Sequence, residues 1–160
     1  MHLKKGKGNT YAMGSNRKII YHGTPTLWLY GDELPILVLA GLYYKYPKTI
    51  DENAQKVLPI SESEFYEKMF YASKIFPAIF LNYQAETIDK QVSLEAGLHS
   101  LAARKIISFG HQKMTVSQKI LELSNQIQET LEFQETDRIS FIELCKYLLP
   151  KGQAGDIIEF

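Results

Sequence analysis

The chain has little cysteine, no long apolar run and no net charge, and each shortage removes a class of protein. Cys145 is the only cysteine, so no internal disulfide can form and nothing suggests an oxidising compartment. No run approaches the roughly 18 apolar residues that a membrane span requires. The basic N-terminal residues lead into no apolar segment of the kind found in a secretory signal. Lys plus Arg number 18, as do Asp plus Glu, so there is no overall pull toward nucleic acid or an anionic membrane. No internal repeat or low-complexity tract interrupts the sequence. The expectation is a cytoplasmic protein without membrane contact.

What is present fits one globular domain: 160 residues, of which 45% are hydrophobic, are enough to bury a sizeable core and too few for two ordinary domains. The charge is uneven, because Lys4, Lys5, Lys7, Arg17 and Lys18 fall at the start with no acid among them. With Gly6, Gly8 and Gly14, residues 1–17 read as a flexible basic arm. A solvated tail is the ordinary role of such a terminus; an arm contacting phosphate is the alternative, and the only route to nucleic acid that the sequence offers. Residues 18–160 read as a single α/β domain, with 115–150 as a C-terminal helical extension.

Lys18–Tyr21 is a short apolar run closed by His22-Gly23-Thr24-Pro25, which predicts a strand and a turn. Asp32-Glu33-Leu34-Pro35 predicts a helix start, with the helix stopping at Gly41 and a second strand over Leu42–Tyr46. The polar stretch Lys48–Pro59 predicts a loop. Ser61-Glu62-Ser63-Glu64 is a capping-box pattern before the amphipathic run Phe65–Ile75. A strand over Ala78–Tyr83, a helix over Val92–Ala103 and a strand over Lys105–Phe109 complete an alternation that argues for a parallel sheet with right-handed crossovers. Val116, Ile120, Leu123, Ile127 and Leu131, then Ile139, Ile142, Cys145 and Leu148, repeat at helical spacing. Cys145 lies on an apolar stripe and reads as core. These two amphipathic helices predict packing on the sheet or on another subunit, and with it a homo-oligomer.

Asp89 and Val92-Ser-Leu-Glu95-Ala-Gly97 lie between two apolar runs, where an α/β sheet places its ligand-binding loops. Together with Tyr21-His22-Gly23-Thr24-Pro25 after the first strand, this order resembles the nucleoside 2-deoxyribosyltransferase family and its relatives that hydrolyse deoxynucleoside 5′-monophosphates. The resemblance covers roughly Arg17 to His111 and implies a flavodoxin-like fold, a parallel sheet with helices on both faces. It implies cleavage or transfer at the N-glycosidic bond of a nucleoside or nucleotide. Glu95 would be the nucleophile and Asp89 would assist the base, with Tyr21 at the sugar or beside the nucleophile and the Gly23 turn near the substrate's 5′ end. A further acid would come from Glu67 or Glu64.

The chemistry is coherent on its own terms. N-glycosidic cleavage passes through an oxocarbenium-like sugar that a carboxylate can stabilise or trap, and a second acid can protonate or hold the departing base. A helix dipole would keep Glu95 ionised. Quieter roles stand beside these. Glu95 can be a dipole partner in a first helical turn, Asp89 a helix cap, Tyr21 a core residue, and His22 a base, a phosphate ligand or a bystander. Gly97 follows Glu95 in the motif and joins the candidate substrate site. The His22-Gly23-Thr24 triplet also resembles that of ADP-ribosyltransferases. No cofactor is expected, and no metal, since Cys145 and His2, His22, His99 and His111 show no ligand spacing. The rival from another class is a non-catalytic nucleotide- or partner-binding module.

Overall fold

The computed structural model describes residues 12–13, 17–45, 55–83 and 92–148. In chain order these form β1 (Ala12–Met13), β2 (Lys18–Tyr21), β3 (Thr24–Leu27), α1 (Glu33–Lys45), β4 (Gln55–Leu58), α2 (Glu62–Ile75), α3 (Val92–Ala103), β5 (Ile107–Gly110), β6 (Lys113–Ser117), α4 (Lys119–Thr130) and α5 (Glu135–Leu148). Asp89 and, apart from β1 and Arg17, the basic arm lie outside the described residues.

The first sheet has the order β1-β2-β3 and the second β4-β6-β5. Tyr21 and Thr24 are paired across a two-residue turn in which His22 and Gly23 both have positive φ, 50° and 79°. That is the primed geometry whose twist matches a hairpin, and Gly23 supplies it at no steric cost. Trp28 extends the ladder by donating to the Arg17 carbonyl at 2.8 Å.

A parallel flavodoxin-like sheet was the expectation, and the strand pairings overturn it: all those among the described residues are antiparallel. Two apolar runs expected to be strands are not strands. The strand expected over Leu42–Tyr46 gives way to helix over its described part, because α1 runs through Gly41 to Lys45. Ala78–Tyr83 folds as successive turns, with Ile79 bonded to Phe76, Phe80 to Pro77 and Tyr83 to Phe80. The residues of that run that reach the core most fully, Phe80 and Tyr83, are three apart, a helical and not a strand spacing. Conversely, the expected loop over Lys48–Pro59 contains β4, whose Lys56 and Leu58 alternate into the core.

Helix α1 lies at the centre. Every residue from Leu34 to Tyr43 is buried, so it has no polar face and packs against α3, α4, α5 and β4. Its N-terminus is clamped by charge. Arg17 forks both guanidinium nitrogens onto Glu33 and lies over the Tyr30 ring at 4.4 Å, while Arg104 donates to Asp32 at 2.7 Å. Its C-terminal turn receives Lys56, whose Nζ donates to the Tyr43 carbonyl at 2.5 Å and sits 4.1 Å from the Tyr43 ring centre.

A cation at a helix C-terminus is favoured by the dipole, yet burial holds the Lys56 ammonium below the usual lysine range. Between the lowered folded value and the unfolded one, the folded chain binds fewer protons than the unfolded chain, so stability rises with pH through that window. Urea unfolding of wild type and Lys56→Met from neutral pH toward 10.5, the ordinary lysine value, is expected to show the wild type gaining relative to the variant. The comparison cancels the other titrating groups. A difference that stays constant with pH would show that Lys56 is not held in this way.

Candidate functional site

Helix α2 begins as the sequence predicts. Ser61 Oγ accepts from the Glu64 amide at 3.1 Å and the Glu64 carboxylate accepts from the Ser61 amide at 3.1 Å, a complete capping box. This sets Glu62 in the first turn and Tyr66 one turn later. Ser61→Ala is expected to cost about 1 kcal/mol. In thermal unfolding, that corresponds to a fall of about 2–4 °C in Tm.

Glu62 Oε2 accepts from the Tyr66 hydroxyl at 2.8 Å and meets His99 Nε2 from α3 at 2.6 Å. A carboxylate only accepts, so Nε2 carries the proton and Nδ1 is the nitrogen left to act as base or acceptor in the neutral ring. The His99 ring rests against Phe109, centroids 5.7 Å apart. Glu95 is exposed one helical turn before His99. Burial, the bond to Glu62 and the charges of Glu62 and Glu95 push the Tyr66 hydroxyl far above the usual phenol range. Tyr66 therefore acts as a donor that fixes Glu62, and the cluster offers two carboxylates and an imidazole on one side of the α2–α3 pair. Among the described residues there is no group of three or more His, Cys, Asp or Glu able to hold a metal ion.

The residues singled out from the sequence fall in several places. Tyr21, His22 and Gly23 form the end of the β2–β3 hairpin, where the Tyr21 and His22 rings touch at 4.3 Å. Glu67 is exposed on α2. Gly97 faces the Gly31–Asp32 turn: a Cβ there would lie 2.6 Å from the Gly31 carbonyl oxygen. Glu95, one turn before His99 on α3, adds its charge to the α2–α3 cluster at Tyr66. Arg104 is engaged by Asp32 rather than by Glu95. Glu62, Tyr66 and His99 were not singled out, although the four-residue step from Glu95 to His99 on one helix face was available as a signal.

Two other surface features bear on function. A cleft of about 190 Å³ lies between β3, the turns at Ala78–Ile79 and the start of α5, lined by apolar Leu27 and Phe141 and by the hydroxyl-bearing Thr24, Thr136 and Ser140. Thr24 and Pro25 of the Tyr21–Pro25 motif line it, whereas the described candidates Tyr21, His22, Gly23, Glu67, Glu95 and Gly97 do not. Two turns further along α5 from Ser140, Tyr147 is half exposed, as are Tyr71 and Ile75 of α2. Phe76 joins them, its ring 6.1 Å from that of Tyr147, and Lys68 ties the two helices by donating to the Leu148 carbonyl at 3.3 Å.

No protein-family model, curated protein or solved structure matches this chain. Among the described residues, no helix is long and apolar enough to cross a membrane.

Proposed function

We propose that the chain is a non-catalytic protein-binding module that docks a partner on the α2–α5 face. The observation that carries this reading is the contiguity of Tyr71, Ile75, Phe76 and Tyr147, large apolar side chains brought to the surface by two packed helices. Aromatic anchors with a charged border are the usual composition of a binding centre. Glu67 and Lys74 supply that border, so the expected occupant is a protein surface with an apolar centre and charges of both signs around it.

Nucleic acid fits less well. The order from α1 to β6, with β6 between β4 and β5, is that of a winged helix-turn-helix, and in helix-turn-helix readers of DNA the second helix of the pair enters the major groove. Helix α3 holds that place, but it exposes Glu95 where phosphate contacts require cations. Glu62 adds a second carboxylate on the neighbouring helix.

The test is a photo-cross-linking residue placed at Tyr71, at Tyr147 and, as a control, at exposed Glu122 of α4. One protein identified by mass spectrometry from both aromatic positions, absent from the control and lost with Ile75→Glu, is the expected result. Equal labelling at all three positions would overturn the reading.

A second reading, cleavage or transfer at an N-glycosidic bond, is favoured by Glu95 lying one helical turn before His99, which meets Glu62, with the Glu95 charge acting on Tyr66. A carboxylate nucleophile with a positioned acid or base is what that chemistry uses. Release of free base from a panel of nucleosides and 5′-monophosphates, abolished by Glu95→Ala in a folded protein, would establish it. No release across the panel would exclude it for those substrates.

A further inference from the structure

We infer that the occupant of the α2–α5 face is a second copy of this chain, paired across an antiparallel two-fold axis beside Tyr71; this rests on the protein-binding reading above. A two-fold interface places the same surface on both subunits, so the surface must be complementary to itself. The exposed stripe of α2 reads Glu64, Glu67, Tyr71, Lys74 and Ile75, a single line at helical spacing that is acidic toward its start and basic toward its end.

When two such stripes run antiparallel with the axis between residues 70 and 71, Glu67 of one copy faces Lys74 of the other, and the pair occurs twice. The two charged positions are seven residues apart, about 10 Å along the helix. Tyr71 lies next to the axis and meets the same residue of the second copy. Ile75 then lies over the aliphatic stems of the opposite helix's first half. Lys74 sits 5.0 Å from the Phe70 ring centre, on the border of the apolar centre rather than within it. Tyr147 and Phe76 widen that centre from α5's side. Antiparallel pairing also sets the helix dipoles in their favourable mutual orientation. A parallel pairing would instead face Glu67 with Glu67 and Lys74 with Lys74, and the charges select against it.

Sedimentation equilibrium on the full chain, from about 1 to about 100 μM, tests the inference, with circular dichroism confirming that each variant is folded. A monomer–dimer equilibrium is expected for the wild type. Glu67→Lys and Lys74→Glu should each weaken the dimer by about tenfold or more, because each sets like charges face to face twice. The double reversal Glu67→Lys/Lys74→Glu restores opposite charges in both copies, and should bring the dissociation constant back to within about threefold of wild type, half a decade on the affinity scale. Ile75→Glu should leave a folded monomer.

A wild type that remains monomeric throughout, or a dimer indifferent to both single reversals, overturns the inference. If the chain is monomeric while Tyr71 and Tyr147 cross-link to one other protein, the second copy is excluded and the protein-binding reading stands. If the single reversals weaken the dimer and the double reversal does not recover it, the antiparallel register is wrong. Nucleic acid bound in place of protein would overturn both readings.

Discussion

Gly97→Ala is expected to destabilise the chain, against the ordinary rule for helices. In an exposed helix interior, replacing Gly by Ala gains about 1 kcal/mol. Gly97 is buried in α3, and the added Cβ would meet the Gly31 carbonyl oxygen at 2.6 Å and the Asp32 Cα at 3.1 Å. Both obstacles are backbone, so no rotamer change relieves the clash. The turn is also poorly able to retreat: Tyr83 donates to the same Gly31 oxygen at 2.9 Å, Arg104 holds Asp32 and Arg17 holds Glu33. Overpacking of this kind costs about 1–3 kcal/mol net of local gains. Gly97→Val adds two further methyl groups to the same contact and is expected to exceed the upper end. Urea unfolding decides the matter. Gly23→Asn is the comparison, because Gly23 has a positive φ but open space around it, and Asn tolerates that backbone region. A Gly97→Ala protein as stable as wild type would show that α3 can move away from the turn.

This result also separates two explanations of one glycine. The sequence reading placed Gly97 in a substrate site, where loss of function would precede loss of stability. The structure gives it a packing role, in which stability falls first. What was legible in the chain was local chemistry: the Ser61–Glu64 cap, the two C-terminal amphipathic helices apart from the expected start at Val116, which lies in strand β6, the hairpin strand at Lys18–Tyr21 and the burial of Cys145. Each was signalled in the sequence by neighbours within a few residues.

What was not legible depended on long-range competition. A short apolar run such as Ala78–Tyr83 satisfies a strand or a buried turn equally well in one dimension, and the core took Phe80 and Tyr83 at a spacing of three. Strand β4 was hidden because Lys56, a charged residue, occupies an inward position that only α1's C-terminal carbonyls make acceptable. The candidate site divides in the same way. Glu95 was visible as a carboxylate in a first helical turn, whereas the contact between Glu62 and His99 joins residues 37 apart in sequence. No local pattern announces such a contact.

Leu37→Ala is expected to have the largest effect of a single truncation. Leu37 is fully buried in α1, a helix with no solvent face, and truncating a leucine in such a place costs about 3–5 kcal/mol through lost burial and the cavity left behind. Folded domains are stable by only about 5–15 kcal/mol, so the change removes a large share of the total. Tm should fall by about 10 °C at this chain length. Half-buried Leu123 on α4 is the control, and its truncation should cost clearly less.

The variant also tests how α1 couples the functional surfaces. Helix α1 packs on α3, which carries Glu95 and His99, and on α5, which carries Tyr147. Weakening its core contacts should therefore loosen the α2–α3 cluster and the α2–α5 face in one transition, seen as coincident loss of far-ultraviolet dichroism, tyrosine fluorescence change and dimer signal on heating. Ile75→Glu should do the reverse, abolishing docking while the unfolding midpoint of the monomer stays close to that of the wild-type monomer. Separate transitions in the Leu37→Ala protein would mean that the two surfaces belong to independently stable parts, and that α1 does not act as their common core.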